Sequence, residues 1–181
     1  MDNIESIEKL RMMIESRNNP IKELPGVYCW WFKKDSASEL LKSLLPKLEE
    51  NKLKSCEING EVYWALYLGM SKDLKQRIKW HVCQHHTISS VKSGFLSTLR
   101  QTLSALLRVN MSDSEREIND FMDKNCYWEW NYTSTKSAAE DFEKRELQQT
   151  DYYYPLNIRH NRMMRVEWLK ELIEERRKYN K

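Results

Sequence analysis

The chain lacks any apolar run long enough to cross a bilayer, and its first ten residues, MDNIESIEKL, lack the basic and apolar regions of a secretory leader. A cytoplasmic protein is expected. Its four cysteines, Cys29, Cys56, Cys83 and Cys126, lie far apart with no CxxC among them. That spacing argues against a disulfide framework and against a structural zinc site. A strong charge of one sign is also missing. Thirty Lys and Arg against twenty-seven Asp and Glu leave a net +3, which permits a local basic patch and describes an ordinary soluble protein equally well. There is no internal repeat and no linker. At 181 residues, 40% of them hydrophobic, the chain reads as one globular unit with enough core to fold alone.

What is present centres on ALYLGMSKDLKQRIKWH, residues 65–81. Alternation places Tyr63, Ala65 and Tyr67 on one face of a strand and Trp64, Leu66 and Leu68 on the other, both covered. Gly69 is expected to turn the chain sharply, with Ser71 accepting a hydrogen bond from the first turn of a helix and Asp73 favoured by its dipole. Leu74, Ile78 and Val82 form the buried stripe of that helix, which leaves Arg77 and His81 on a neighbouring, outward face beside the end of the Tyr67 strand.

The remaining elements follow in order. A helix is expected over about 3–17, with Ile4, Ile7, Leu10, Met13 and Ile14 at helical spacing. After Leu24-Pro25-Gly26, the run VYCWWF reads as the first central strand, with Tyr28, Trp30 and Phe32 on one face. A Leu-rich helix over about 35–54 carries Leu40, Leu41, Leu44, Leu45 and Leu48, with Pro46 kinking it or starting a second helix. Asn59-Gly60 between two strand-like runs signals a hairpin. FLSTLRQTLSALL reads as a helix with Ser97, Arg100, Gln101 and Ser104 on its polar side, and residues 112–124 as another, with Ser112 and Glu115 forming a capping box. Tyr127 to Tyr132 alternates like a third main strand, and a helix over about 137–149 follows. A last helix begins near 162 on Met163, Val166, Leu169 and Ile173 and ends in a solvated tail, EERRKYNK. The fold class is α/β: a small central mixed or antiparallel sheet of at least three strands, flanked by helices.

Gly26-Val27-Tyr28, then Tyr67-Leu68-Gly69, Arg77 and His81, a glutamate on the helix after the third strand, and Pro155 with Asn157 together resemble the GIY-YIG endonuclease family. Each three-residue piece is weak, but the ordered set, each member in its expected element, is specific. The resemblance spans about 25–157. It implies one nuclease domain over 1–181, with inserted segments at 35–60 and 94–124 and added terminal helices. The two tyrosine motifs usually lie much closer together, and restriction-type branches tolerate such decoration.

The resemblance implies a metal-dependent endonuclease acting on DNA, of restriction or mobile-element type, with one divalent cation, Mg²⁺ or Mn²⁺, held by Glu143 or Glu146. Hydrolysis of a phosphodiester needs an activated water, a stabiliser of negative charge and a proton for the leaving oxygen. Tyr28 is the expected general base, lowered toward its phenolate by Arg77; Arg77 also clamps phosphate, Tyr67 positions water or phosphate, and His81 orients or shuttles protons. Lys72 and Lys75 are placed for the flanking backbone, with Arg100 and Asn157 as further nucleic-acid contacts. Distance to Pro155 selects Glu146, whereas the family's pattern of apolar neighbours, matched here by Ala139, Phe142 and Leu147, selects Glu143, which is the expected ligand with Glu146 as the alternative. One such site attacks one strand, so a double-strand break requires a homodimer on DNA or successive nicks. The alternative is a non-catalytic nucleic-acid-binding module on the same fold; a purely structural domain is a third. His81, Cys83, His85 and His86 could suggest zinc, but ligands so close on one helix end seldom converge tetrahedrally. Most of Trp30, Trp31, Trp64, Trp80, Trp128 and Trp130 are expected in the core.

Overall fold

A computed structural model describes residues 3–43, 48–94, 96–149, 151–158, 161 and 167–180. In chain order its strands are β1 (Ile4–Ser6), β2 (Gly26–Lys33), β3 (Ser55–Ile58), β4 (Glu61–Ser71) and β5 (Cys126–Tyr132). They form one sheet in the order β1-β5-β2-β4-β3, with every neighbouring pair antiparallel. The β-branched and aromatic run GVYCWWFK therefore lies at the centre, bonded on both sides, where such side chains pack best. The Asn59-Gly60 turn has φ of 54° and 80° at its two residues, as a type I′ hairpin requires.

The helices are α1 (Ile7–Glu15), α2 (Lys34–Leu41), α3 (Leu74–Val82), α4 (Ile88–Lys92), α5 (Thr98–Leu107), α6 (Glu115–Asn125), α7 (Lys136–Gln148) and α8 (Glu167–Tyr179). Most of them cover one face of the sheet. There Tyr28, Trp30, Phe32, Trp64, Leu66 and Trp128 meet Ile7 and Leu10 of α1, Leu41 of α2, the Leu74-Ile78-Val82 stripe of α3, Leu103 of α5, Ile118 of α6 and Leu172 of α8. The reverse face holds Cys29, Trp31, Tyr63, Ala65 and Leu68 against Leu147 of α7 and Tyr154.

Several boundaries differ from the sequence expectation. Residues 4–6 add an edge strand to β5 before α1 starts, because Ser6 caps the helix by accepting the Lys9 N–H. Among the described residues the Leu-rich segment is helical over α2 and in a 3-10 turn at Glu50–Lys52; Leu44, Leu45 and Pro46 lie outside the described residues. Ser71 ends β4, and Asp73 is the cap of α3, accepting the Gln76 N–H at 3.0 Å. Ser114, not Ser112, precedes α6, and Glu115 turns away to bond His85 and the His86 N–H. The C-terminal segment stays helical to Tyr179, with Arg176 bonded to Gln101 of α5. Met163 and Val166 lie outside the described residues.

The largest departure is in β4. Between Trp30 and Trp31 the register with β2 slips, so that Trp30 faces Tyr67 while Trp31 faces Ala65. Leu66 is the extra residue of a β-bulge, and strict alternation fails there. Tyr67 consequently packs on the same face as Trp64 and Leu66, whereas Leu68 joins Tyr63 and Ala65 on the reverse face. This reverses the expected sides of Tyr67 and Leu68. It also brings Tyr67 beside Tyr28, with ring centroids 6.4 Å apart.

Candidate active site

Tyr28 leaves β2 on the principal face with its ring over Gly69, its direct partner on β4. A Cβ at Gly69 would come within 2.4 Å of Tyr28 Cζ and Oη. Gly69 therefore serves clearance inside a strand and makes no sharp turn there, contrary to expectation. Tyr67 arrives beside it through the bulge, and Arg77 and His81 come from successive turns of α3. Glu143 approaches from α7, near enough that its charge raises the pKa of both phenols.

His81 is 1% exposed, not outward-facing. Its Nε2 lies 3.0 Å from Tyr28 Oη and its Nδ1 3.2 Å from Ser97 Oγ. Burial, then Arg77 and Arg100, hold the imidazole well below its ordinary pKa, so it is neutral at pH 7. Burial is also the first cause that pushes Tyr28 well above 10; Arg77 pulls it down as expected, but less strongly. Tyr67, partly exposed, is raised as well, again chiefly by burial, while Arg77 and Arg176 oppose the rise. Both phenols therefore keep their protons at neutral pH. Arg77 stacks on Trp80 with 5.2 Å from Cζ to the ring centroid, and its buried Nε has no hydrogen-bond partner among the described residues.

Three expected site residues, Arg100, Asn157 and Glu146, lie elsewhere or do other work. Arg100 is fully buried: its Nη1 donates to the His81 carbonyl, its Nε to His86 Nε2 and its Nη2 to Asn119. It is a tie between α3, α5 and α6 and offers nothing to DNA. The polar side of α5 is buried with it, Ser97 and Ser104 included. Asn157 is 6% exposed and accepts the Leu68 N–H at 2.8 Å while donating to the Leu68 carbonyl at 2.6 Å. It closes the outer edge of β4 beyond the end of β3, so it is not a nucleic-acid contact. Glu146 lies with Tyr28, Cys29, Lys54, Glu129 and Tyr154 around a small cavity of about 90 Å³ on the reverse side of β2. Lys72 is exposed, and Lys75 is paired with Glu23 at 2.9 Å. His81, His85 and His86 bond different partners, respectively Tyr28 with Ser97, Glu115, and Arg100 with Met111.

Sequence reasoning missed Ser97 and Arg176. Ser97 was legible only as the polar side of a helix, and Arg176 only as part of a charged tail, yet its charge reaches Tyr67.

Two phenols, a guanidinium with a donor unfilled among the described residues, a neutral imidazole and a carboxylate are gathered on one antiparallel sheet, groups of the kinds that can bind an oxyanion and move protons. The family model described as the GIY-YIG catalytic domain matches residues 26–179, and the chain belongs to the GIY-YIG family, whose domain carries nuclease chemistry on DNA. The match runs through α8, beyond Asn157. Comparison with curated proteins and with solved structures found no match. No helix among the described residues is long and apolar enough to cross a membrane.

Proposed function

We propose that the protein is a metal-dependent endonuclease that hydrolyses DNA phosphodiester bonds at Tyr28, Tyr67, Arg77, His81 and Glu143. The observation that carries this reading is the meeting of these five side chains, from β2, β4, α3 and α7, around an arginine whose buried Nε has no partner among the described residues. A phosphate oxygen fills that donor, and the charged hydrogen bond is stronger than a neutral one. Burial keeps the phenols protonated, so Tyr28 or Tyr67 acts as a base only as positive charge gathers beside it; Arg77 is the cation already present.

Among the described residues no group of three or more His, Cys, Asp or Glu converges. A single carboxylate beside two hydroxyls still fits Mg²⁺, which keeps several waters and binds through one or two carboxylates plus substrate phosphates. Glu143 is the residue that would hold Mg²⁺ or Mn²⁺, because its field falls on the Tyr28–Tyr67 pair, whereas that of Glu146 falls on Cys29 and Tyr154. When bound, the cation supplies Lewis acidity at the scissile phosphate and eases departure of the 3′ oxygen. Lys72 and Lys75 steady the flanking backbone. The added segments between the motifs support a restriction or mobile-element role.

The test is nicking of supercoiled plasmid with Mg²⁺ or Mn²⁺ and a chelator control. Arg77→Ala is expected to slow cutting by roughly a hundredfold. Glu143→Gln should bind DNA without cutting it, and Glu146→Gln should cut like the parent. Equal cutting by Arg77→Ala and the parent removes the site, and DNA binding without any metal-dependent nicking leaves a non-catalytic module.

A further inference from the structure

The hydrogen bond between Tyr28 and His81 can run in either direction, and the groups around the ring select one. Because His81 is neutral, its ring carries a single proton, on Nδ1 or on Nε2. Ser97, at the cap of α5 and 6% exposed, lies 3.2 Å from Nδ1. A serine hydroxyl has one proton to donate and two lone pairs. One lone pair receives the Arg100 N–H at 3.1 Å. Among the described residues, the other group bonded to Ser97 Oγ is Nδ1 of His81. Were Nδ1 protonated, the Ser97 proton would be buried without an acceptor, a state that native interiors avoid. Donation from Ser97 to Nδ1 satisfies every group, puts the ring proton on Nε2 and aims it at Tyr28 Oη, 3.0 Å away.

His86 provides the contrast within the same layer. Its Nε2 receives the Arg100 Nε–H at 2.7 Å, and its Nδ1 faces the Met111 carbonyl at 3.0 Å, which can only accept. Its ring is therefore fixed the other way, protonated on Nδ1. The inserted helix α5 thus presents one donor to each ring: the Ser97 hydroxyl to His81 and the Arg100 guanidinium to His86.

We infer that Ser97 is a positioning residue that holds His81 as the Nε2–H imidazole, so that His81 donates to the Tyr28 oxygen and steadies negative charge there. His81 then does not take the Tyr28 proton. That proton is turned away from Nε2 instead, on a hydroxyl whose ring is flanked by Tyr67 with centroids 6.4 Å apart. The catalytic consequence rests on the nuclease reading above, whereas the tautomer does not.

The experiment is ¹⁵N NMR of histidine-labelled protein without DNA, with the His81 signals assigned through a His81→Asn variant, alongside plasmid nicking. The parent is expected to show a protonated Nε2 and a bare Nδ1. Ser97→Thr keeps hydroxyl and cap and should keep both this pattern and a rate within about twofold of the parent. Ser97→Ala should lose the pattern and slow kcat by roughly tenfold with KM unchanged, as expected for a lost oriented donor. Ser97→Asp, a good cap that can only accept, should reverse the ring to Nδ1–H. A parent with Nδ1 protonated overturns the inference, and so does an Nε2–H pattern that survives Ser97→Asp. A parent that shows Nε2–H but does not nick DNA upholds the tautomer and removes the nuclease reading.

Discussion

Tyr28 is held by contact before it is held by charge. Its phenol lies so closely over Gly69 that any side chain there would overlap Cζ and Oη, and its hydroxyl is then fixed by Nε2 of His81. A methyl group at position 69 must push the ring off its place, since the alternative is to move two bonded central strands. Gly69→Ala is therefore expected to fold, because its backbone is ordinary strand without positive φ, yet to lose about a hundredfold in metal-dependent nicking, the scale of an ångström-sized misplacement of a catalytic group. Retained DNA binding with lost cutting is the expected pair of measurements; cutting at the parent rate would show that the tyrosine need not sit there. Gly26 is constrained in a related way: a Cβ would come 2.3 Å from the Asn131 carbonyl oxygen of β5 and 2.6 Å from Leu74 of α3. The two glycines of the motif thus let the strands and the first turn of α3 approach closely enough to bring the phenol, guanidinium and imidazole together.

At the scale of elements, the site depends on an irregular strand and on the segment that seals it. The bulge at Leu66 leaves the Leu66 carbonyl to accept the Leu156 N–H at 2.9 Å, and Asn157 then takes both backbone groups of Leu68. The chain after α7 thus substitutes for the missing part of β3. Asn157→Ala strands a buried N–H and a buried C=O, which should cost about 2–4 kcal/mol in urea unfolding. DNA affinity of the folded variant should match the parent, because the amide is not at the surface; weakened binding at unchanged stability would return Asn157 to the nucleic-acid face. This same bulge marks the limit of sequence reading. The strand runs around Tyr28, Tyr67 and Trp128, the Asn-Gly hairpin and the stripe of α3 were legible because each is a local pattern. The side on which Tyr67 lies was not, because a single extra residue shifts a period-2 pattern and only its pairing with β2 reveals it. The polar face of α5 misled for a similar reason: Arg100 and Ser97 look solvated by spacing, and only the neighbouring α3 and α6 supply buried partners.

For the molecule as a whole, the helices α3 to α6 place two neutral histidines against one buried arginine, which ties stability to pH. His86 is pushed down to about 4 by burial and then by Arg100, and His81 well below its usual value by burial, Arg77 and Arg100. An unfolded histidine takes up its proton as pH falls through about 6.5, while these two remain unprotonated in the folded chain. Between those limits the unfolded state binds more protons, so unfolding becomes easier as pH falls, and the contribution is complete only above about 6.5. One pH unit below that value each ring should cost about 1.4 kcal/mol, so unfolding free energy should drop by about 3 kcal/mol between pH 7.5 and 5.5. That window lies above the range in which Glu115, whose carboxylate is stabilised by His86 and His85 against the cost of burial, would begin to take up a proton. His85 is exposed and bonded to Glu115, and it adds nothing to the argument for buried rings. His86→Gln keeps an oxygen for the Arg100 donor and removes the titration, so its stability should fall only about half as much across the same interval. Urea unfolding at pH 7.5, 6.5 and 5.5 measures both chains, and the slope decides whatever the absolute stability of the variant. Equal slopes for parent and His86→Gln would mean that the folded chain does not hold that ring neutral.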